Sequence, residues 1–312
     1  MNGGANDNRL LILLYHGVTE DASSGIENAS RKHIDAAEFS RQMSFLRGHA
    51  NVLSMDDVVD LHDAGAPYPE RAVCVSFDDG FLNNYTVAKP ILEAAEIPAA
   101  FYVSTGLIGT RGMFWVDQLE DCINRTVHTT ISVRLEGARE LTLTSDAEKI
   151  AALEAIKRYC KASPAGEKDR VLAEVDAATG VRPCADAAAN YRTMTWDHVR
   201  EIADHPLFTV GGHGVMHDIL TRLSEDDCER EIRQSLATLR SQLGRDVRHY
   251  SYPEGQSDHY DERIVALLAQ EGVRCSPSAR AMINDRNIGL FDLGRIMVGF
   301  RGEPFPHAFF VS

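Results

Sequence analysis

No two of the six cysteines, Cys74, Cys122, Cys160, Cys184, Cys228 and Cys275, stand at a CxxC spacing. That excludes a zinc-ribbon or thioredoxin-like motif and predicts reduced, structural thiols. No run approaches the roughly 18 consecutive apolar residues of a membrane span. The start, Met1 to Arg9, lacks the cationic opening, long apolar stretch and small-residue cleavage site of a secretory signal, so the expected location is cytoplasmic. Positive charge is also short: 32 Lys and Arg face 46 Asp and Glu, a formal net charge of −14. An acidic surface repels phosphate backbones and anionic lipid headgroups, which argues against nucleic-acid and membrane-surface partners. Internal repeats and low-complexity tracts are missing too.

What is present is ordinary globular composition, 44% hydrophobic and 25% charged over 312 residues. A chain of that length buries enough apolar surface to fold without disulfides. Short apolar runs at Leu10–Tyr15, Ala72–Phe77, Ala99–Val103, Phe208–Gly211, Arg248–Tyr252 and Arg295–Val298 predict buried strands. Amphipathic stretches lie between them. Asp35–Arg47 carries Phe39, Met43 and Leu46 on one stripe, and Glu225–Leu243 carries Cys228, Ile232, Leu236 and Leu239 behind the N-cap candidate Ser224. Strands alternating with helices predict a parallel α/β architecture. Periodicity leaves barrel and open sheet both open, and the barrel is favoured.

The rhythm breaks between about 116 and 190. A strand-like pair around Ile131–Leu143 is followed by Ser145-Asp146-Ala147-Glu148, a capping-box pattern that opens a helix. A second helix is expected at Ser163-Pro164, with proline at the first helical position. We read 1–312 as a single domain interrupted by a small, mostly helical insertion at 116–190. Its role is either a lid or sorting surface for substrate, or none.

Three segments carry chemistry. Ser76-Phe77-Asp78-Asp79-Gly80 follows a buried strand, whereas Asp56-Asp57 and Asp226-Asp227 follow serines and fall in the first turn of expected helices. Adjacent carboxylates at a strand mouth repel and are desolvated unless a cation is near, so Asp78-Asp79 marks a site. The second segment is His213-Gly214-Val215-Met216-His217, after Val210-Gly211-Gly212. Histidines four apart on a helical turn face one side and can share a metal. The spacing alone is weak, since about half of one such pair arises by chance in a chain with this many histidines. Its place at a strand end adds weight. One Asp and two His leave room for water and substrate on a metal that lowers the pKa of its water to roughly 7, and a second carboxylate can take the proton. The third segment, His249-Tyr250-Ser251-Tyr252-Pro253-Glu254-Gly255, is either a groove wall with a backbone N–H for an oxyanion or a plain strand-ending turn.

Taken in order, these pieces resemble the polysaccharide deacetylase family, also called the NodB-homology or carbohydrate esterase 4 family. Flanking text at Leu14-Tyr15-His16-Gly17-Val18, Pro90-Ile91-Leu92, Ile97-Pro98-Ala99-Ala100-Phe101 and Leu223-Ser224 into Glu231-Ile232 is similar as well. The resemblance covers about 10–115 and 190–300. It implies a distorted (β/α) barrel with the site at the strand C-terminal ends. It further implies Asp78 as catalytic base, Asp79, His213 and His217 as metal ligands, Tyr252 and Pro253 as groove wall, and the Glu254 N–H at the oxyanion. The implied cofactor is one divalent metal, Zn²⁺ first, with Co²⁺, Ni²⁺ or Fe²⁺ as alternatives. The implied activity is removal of an N-acetyl group from an amino sugar, met as a monosaccharide, a nucleotide sugar or a lipid-linked glycan.

The sequence departs from the family pattern in four places. Gly214 replaces a Ser or Thr that would steady the loop by a hydrogen bond. The third motif lacks the family's usual arginine, near Ser251, that pairs with the base, which predicts a raised pKa or loose orientation for Asp78. Glu254 stands where an aromatic is usual. Asp292-Leu293-Gly294-Arg295 occupies the region of a Leu-x-His motif that supplies the general acid, leaving His16, and less so His307, as candidates. These departures keep two other readings in play: an amide hydrolase acting on a formyl or ureide-type group, and a degenerate protein that only binds glycans.

Overall fold

The computed structural model describes residues 8–310; residues 1–7, most of the segment read for a secretory signal, and 311–312 lie outside the described residues. The strands are β1 (Arg9–Tyr15), β2 (Gly17–Thr19), β3 (His33–Asp35), β4 (Asn51–Val52), β5 (Ala72–Phe77), β6 (Ala99–Val103), β7 (Thr130–Arg134), β8 (Ala138–Thr142), β9 (Phe208–Gly212), β10 (Asn284–Asp285) and β11 (Ile296–Met297). The helices are α1 (Ala36–His49), α2 (Met55–Asp63), α3 (Lys89–Ala95), α4 (Trp115–Arg125), α5 (Asp146–Ala162), α6 (Ala165–Thr179), α7 (Trp196–Asp204), α8 (Glu225–Leu243) and α9 (Glu262–Gln270). None among the described residues is long and apolar enough to cross a membrane.

The central sheet runs β10-β1-β5-β6-β9, with β4 on β5 and β11 on β1. Neighbours β1, β5, β6 and β9 pair in parallel, as the alternation of strands and helices predicts. Backbone hydrogen bonds carry the ring onward: Ser251 N to Gly212 O at 2.8 Å, Tyr250 N to Cys275 O at 3.0 Å, Ser278 N to Leu293 O at 2.7 Å, and Val298 N back to Leu14 O at 3.0 Å. The result is a distorted barrel. Two expected strands shrink in it. Arg248–Tyr252 pairs only through isolated bridges at His249 and Tyr250, and Arg295–Val298 reduces to the two residues of β11. Pro253, lacking an N–H, ends the first of these ladders.

Side-chain alternation divides each strand between two cores. Leu11, Leu13, Tyr15, Val73, Val75, Phe77, Phe101 and Val103 face the surrounding helices. Leu10, Ile12, Ala72, Cys74, Ala100 and Tyr102 face inward with Cys275 and Leu293. Each fully buried Leu, Val or Phe contributes roughly 1.5–3 kcal/mol. Continuing the inward row of β5 places Ser76 and then Asp78 at the mouth of the barrel. The packing pattern thus aims the carboxylate.

Helix ends follow their local signals. Ser224 caps α8 by accepting the Asp227 N–H, and the helix stops at Gly244, whose φ of +64° suits glycine. Asp35 caps α1 in the same way. In the segment after β6, α4, α5, α6 and the antiparallel hairpin β7–β8 close on an apolar cluster of their own, which includes Leu119, Ile131, Leu153, Ile156 and Val175. Ser145 caps α5. Pro164, expected at the first helical position, sits one place earlier, at the N-cap of α6.

Candidate active site

The backbone reverses immediately after β5. Asp78 N–H still bonds Tyr15 O, but Asp79 has φ +77° and Gly80 φ +94°, so the two carboxylates leave the strand in different directions. Asp79, 5% exposed, turns toward the end of β9. There Gly211 and Gly212 leave no room for a Cβ, which would lie 2.7 Å from His249 O and from Tyr250 Cδ2 respectively.

The two histidines are not on a helix, as their spacing had suggested. Residues 213–219 form a loop in which left-handed residues Gly214 (φ +76°) and His217 (φ +60°) bring both rings to one side. His213 Nδ1 lies 2.8 Å from Ser251 O. A carbonyl only accepts, so Nδ1 carries the proton and Nε2 keeps its lone pair. That Nε2 is 3.6 Å from Asp79 Oδ1, and His217 Nε2 is 3.3 Å from the same oxygen. One ligand atom from each of the three residues lies within 4.8 Å of the others. Asp79 Oδ1 is buried with no hydrogen-bond partner.

Electrostatics agree with this geometry. Burial first, then Asp78, Asp117 and Glu254, push Asp79 well above the carboxylate range, with Lys32 opposing. Burial likewise holds His213 and His217 below the usual imidazole range. An orphaned carboxylate oxygen beside two neutral imidazoles is a donor set that fits a divalent cation of borderline softness.

Asp78 corrects the expectation of a loose or weakly acidic base. Its arginine comes from elsewhere. Arg295, fully buried before β11, reaches back with Nη1 2.7 Å from Oδ1 and Nη2 2.7 Å from Oδ2. Its remaining donors go to Ser251 Oγ at 2.7 Å and Ser278 O at 2.8 Å. Burial alone raises the Asp78 pKa, but Arg295, His213 and His16 together bring it down to about 2. A bidentate buried pair of this kind fixes orientation as well as charge.

Asp78, Asp79, His213, His217, His16 and Glu254 line one cleft of about 790 Å³. His16 follows β1; burial brings its pKa down to about 4, so the ring is neutral near pH 7. Glu254 has φ +60°, and its side chain pairs with Lys161 of α5 at 2.5 Å. The groove-wall assignment of Tyr252 and Pro253 needs correction. Tyr252 is 0% exposed, stacks on Tyr260 at 4.0 Å and donates to Phe291 O, and neither residue lines the cleft. His307 packs against Phe45 of α1 and is also absent from the cleft.

Other wall residues had no sequence signal. Lys32 pairs with Asp117 of α4 at 2.5 Å, and Glu120 accepts from Tyr191 OH and Asn28 N–H, its pKa raised to about 7 chiefly by burial. Glu154, Lys157 and Lys161 of α5 complete that side, so the helices of the interrupting segment form one wall. Arg295 had a signal, since it opens an expected strand, but nothing nearby marked its partner.

The fold and this site define a class. Residues 65–276 match the family model described as "Polysaccharide deacetylase", and the chain belongs to that family. Over 95 residues, 30% of this chain and 14% of the relative, it is 28% identical to the poly-beta-1,6-N-acetyl-D-glucosamine N-deacetylase of Escherichia coli (strain K12). Over 125 residues, 36% of this chain and 42% of the relative, it is 28% identical to the Staphylococcus aureus (strain MSSA476) protein of the same name. The chain therefore spans less than half the length of either relative. Two solved structures share the fold. "IcaB from Ammonifex degensii" has a TM-score of 0.59 at 18% identity, covering 96% of this chain and 94% of that one. "Streptococcus pyogenes deacetylase PplD in complex with acetate" has a TM-score of 0.60 at 17% identity, covering 93% and 92%.

Proposed function

We propose that this chain is a metal-dependent N-deacetylase acting on an amino sugar within a glycan. The observation that carries the reading is the convergence of Asp79, His213 and His217 on one point, with an Asp79 oxygen that no protein donor satisfies. A divalent ion held there, Zn²⁺ in the first instance and otherwise Co²⁺, Ni²⁺ or Fe²⁺, would supply Lewis acidity to the amide carbonyl and make water nucleophilic near neutral pH.

The protein's own groups do the rest. Asp78, ionised and held by Arg295, accepts the proton of the attacking water. Arg295 lowers the basicity of that carboxylate and in exchange removes its freedom to swing away. His213 is kept in one tautomer by Ser251 O, so its free nitrogen always faces Asp79. The Glu254 N–H is assigned to the developing oxyanion, where a fixed backbone donor costs no reorganisation. His16, neutral on the same cleft, is assigned to take up the proton that Asp78 accepts from water and pass it to the leaving amine, which returns the ring to its neutral form.

The named substrate of the relatives makes β-1,6-linked N-acetylglucosamine oligosaccharides the first compounds to assay. The test is metal content and acetate release for the wild type and His213→Ala. One bound metal per chain and acetate release, both lost in the variant, is the expected result. Acetate release without bound metal would sink the proposal, and formate or ammonia in place of acetate would move it to the related amide hydrolases. The glycan-binding alternative loses one of its three supports, because Arg295 supplies the arginine missing near Ser251, while the departures at Gly214 and Glu254 stand.

A further inference from the structure

The loop from His213 to His217 has no secondary structure of its own, yet it must hold two imidazoles at a fixed separation. Its carbonyls are taken by the loop after β6: Ser104 Oγ donates to His213 O at 2.9 Å, Thr105 N to Gly214 O at 3.0 Å, and Gly106 N to Val215 O at 2.9 Å. Its amides go the other way. Val215 N and Met216 N both donate to a single atom, Glu231 Oε1, each at 2.7 Å.

Glu231 stands in the second turn of α8, on the barrel side of that helix beside the buried Cys228, Ile232 and Ser235. The contact is close enough to dictate a residue. A Cβ on Gly214 would lie 3.0 Å from Glu231 Oε1, and Gly214 already has a φ of +76° that disfavours any side chain. The carboxylate therefore fills the space a larger residue would need and organises the turn from outside. Two charge-assisted bonds to consecutive amides fix the peptide planes between the histidines. At the far end, Lys168 of α6 pairs with Asp218, next to His217. Both anchors lie outside the ligand set.

We propose that Glu231 is a positioning residue that sets the bite of His213 and His217, so that its side chain governs metal affinity and ligand geometry. The inference rests on the metal-site reading above. Outer-shell groups that orient ligands are worth about 10–100-fold in metal affinity.

The experiment compares wild type, Glu231→Ala, Glu231→Asp, Glu231→Gln and the control Glu229→Ala, a half-exposed carboxylate of the same helix that pairs with Arg233. It reads Zn²⁺ affinity by competition with a chelating dye, the visible absorption of the Co²⁺-loaded protein, and the thermal midpoint without metal. Glu231→Ala should weaken Zn²⁺ binding by about 10–100-fold. Glu231→Asp keeps the charge but withdraws the acceptor, so it should weaken binding and shift the Co²⁺ bands. Glu231→Gln retains an acceptor oxygen and should recover most of the affinity, with Glu229→Ala unchanged. If Glu231→Ala does not fold, the aspartate variant decides. Wild-type affinity in Glu231→Asp, or losses fully matched by a fall in the metal-free midpoint, would overturn the inference alone. A wild type that takes up no Zn²⁺ would overturn the metal reading, and this inference with it.

Discussion

Asp56-Asp57 and Asp78-Asp79 are the same dipeptide in two surroundings. In the first turn of α2, Asp57 Oδ2 accepts from Ser54 N at 2.8 Å and Ser54 Oγ at 2.7 Å, completing a capping box, while Asp56 pairs with the exposed Arg248 and the buried His249. Every one of those bonds has a structural purpose. At the end of β5, Asp78 pairs with a buried arginine and Asp79 keeps an oxygen that nothing satisfies. Asp56 and Asp78 are both drawn to a pKa of about 2, the first mainly by its hydrogen bond to His249, the second against strong desolvation. A perturbed pKa therefore does not separate a cap from a site. Burial and unmet bonding capacity do.

The comparison breaks most visibly in activity. Asp78→Asn should cut acetate release by about 10²–10⁴-fold, the usual worth of a general base, and Asp56→Asn should leave it within about twofold. Equal losses in the two variants would mean that Asp78 is only structural.

Stability comes next. Arg295→Met leaves the Asp78 charge buried and unpaired and should cost about 3–5 kcal/mol in urea unfolding at pH 7. Arg248→Met, which removes an exposed partner of Asp56, should cost no more than about 1 kcal/mol. Similar midpoints for the two would contradict the burial argument.

The smallest effect is in the acid limb. Both carboxyls have folded pKa values below the unfolded 3.8, so each contributes stability that is complete above about pH 4 and fades as pH falls toward about 2. Asp56, 41% exposed, sits within reach of screening ions, whereas Asp78 does not. Raising salt to about 0.5 M should flatten the share of this limb that Asp56→Asn removes and leave the share removed by Asp78→Asn. Acid titrations of both variants at two ionic strengths measure it, and an equal salt response would show that Asp78 is more accessible than its packing implies.

Much of the architecture was legible because it depends on neighbours in sequence. The short apolar run Ala72–Phe77 identifies a strand buried on both faces, Ser224 and Ser145 mark helix starts, and a carboxylate pair after such a strand stands out from pairs that follow a serine. Three features were not legible. The partner of Asp78 lies 217 residues away and enters only because β11 closes against β1. The histidine loop copies a helical spacing without being a helix, since carbonyls and amides that a helix would pair internally are taken by Ser104–Gly106 and Glu231. Tyr252 reads as a groove aromatic and is core, because its hydroxyl finds Phe291 O and its ring finds Tyr260.

The sequence by itself marked four of the six expected strands, the helix starts at Ser145 and Ser224, and Asp78, Asp79, His213 and His217 as candidate site residues. Periodicity, capping and strand-end position act over a few residues and survive in one dimension. Only the tertiary structure decided that Arg295 holds Asp78, that Glu231 bonds the histidine loop, and that α4 and α5 wall the cleft with Asp117, Glu120 and Lys161. Those are contacts between distant segments, and their partners are chosen by barrel closure and packing, which no local pattern records.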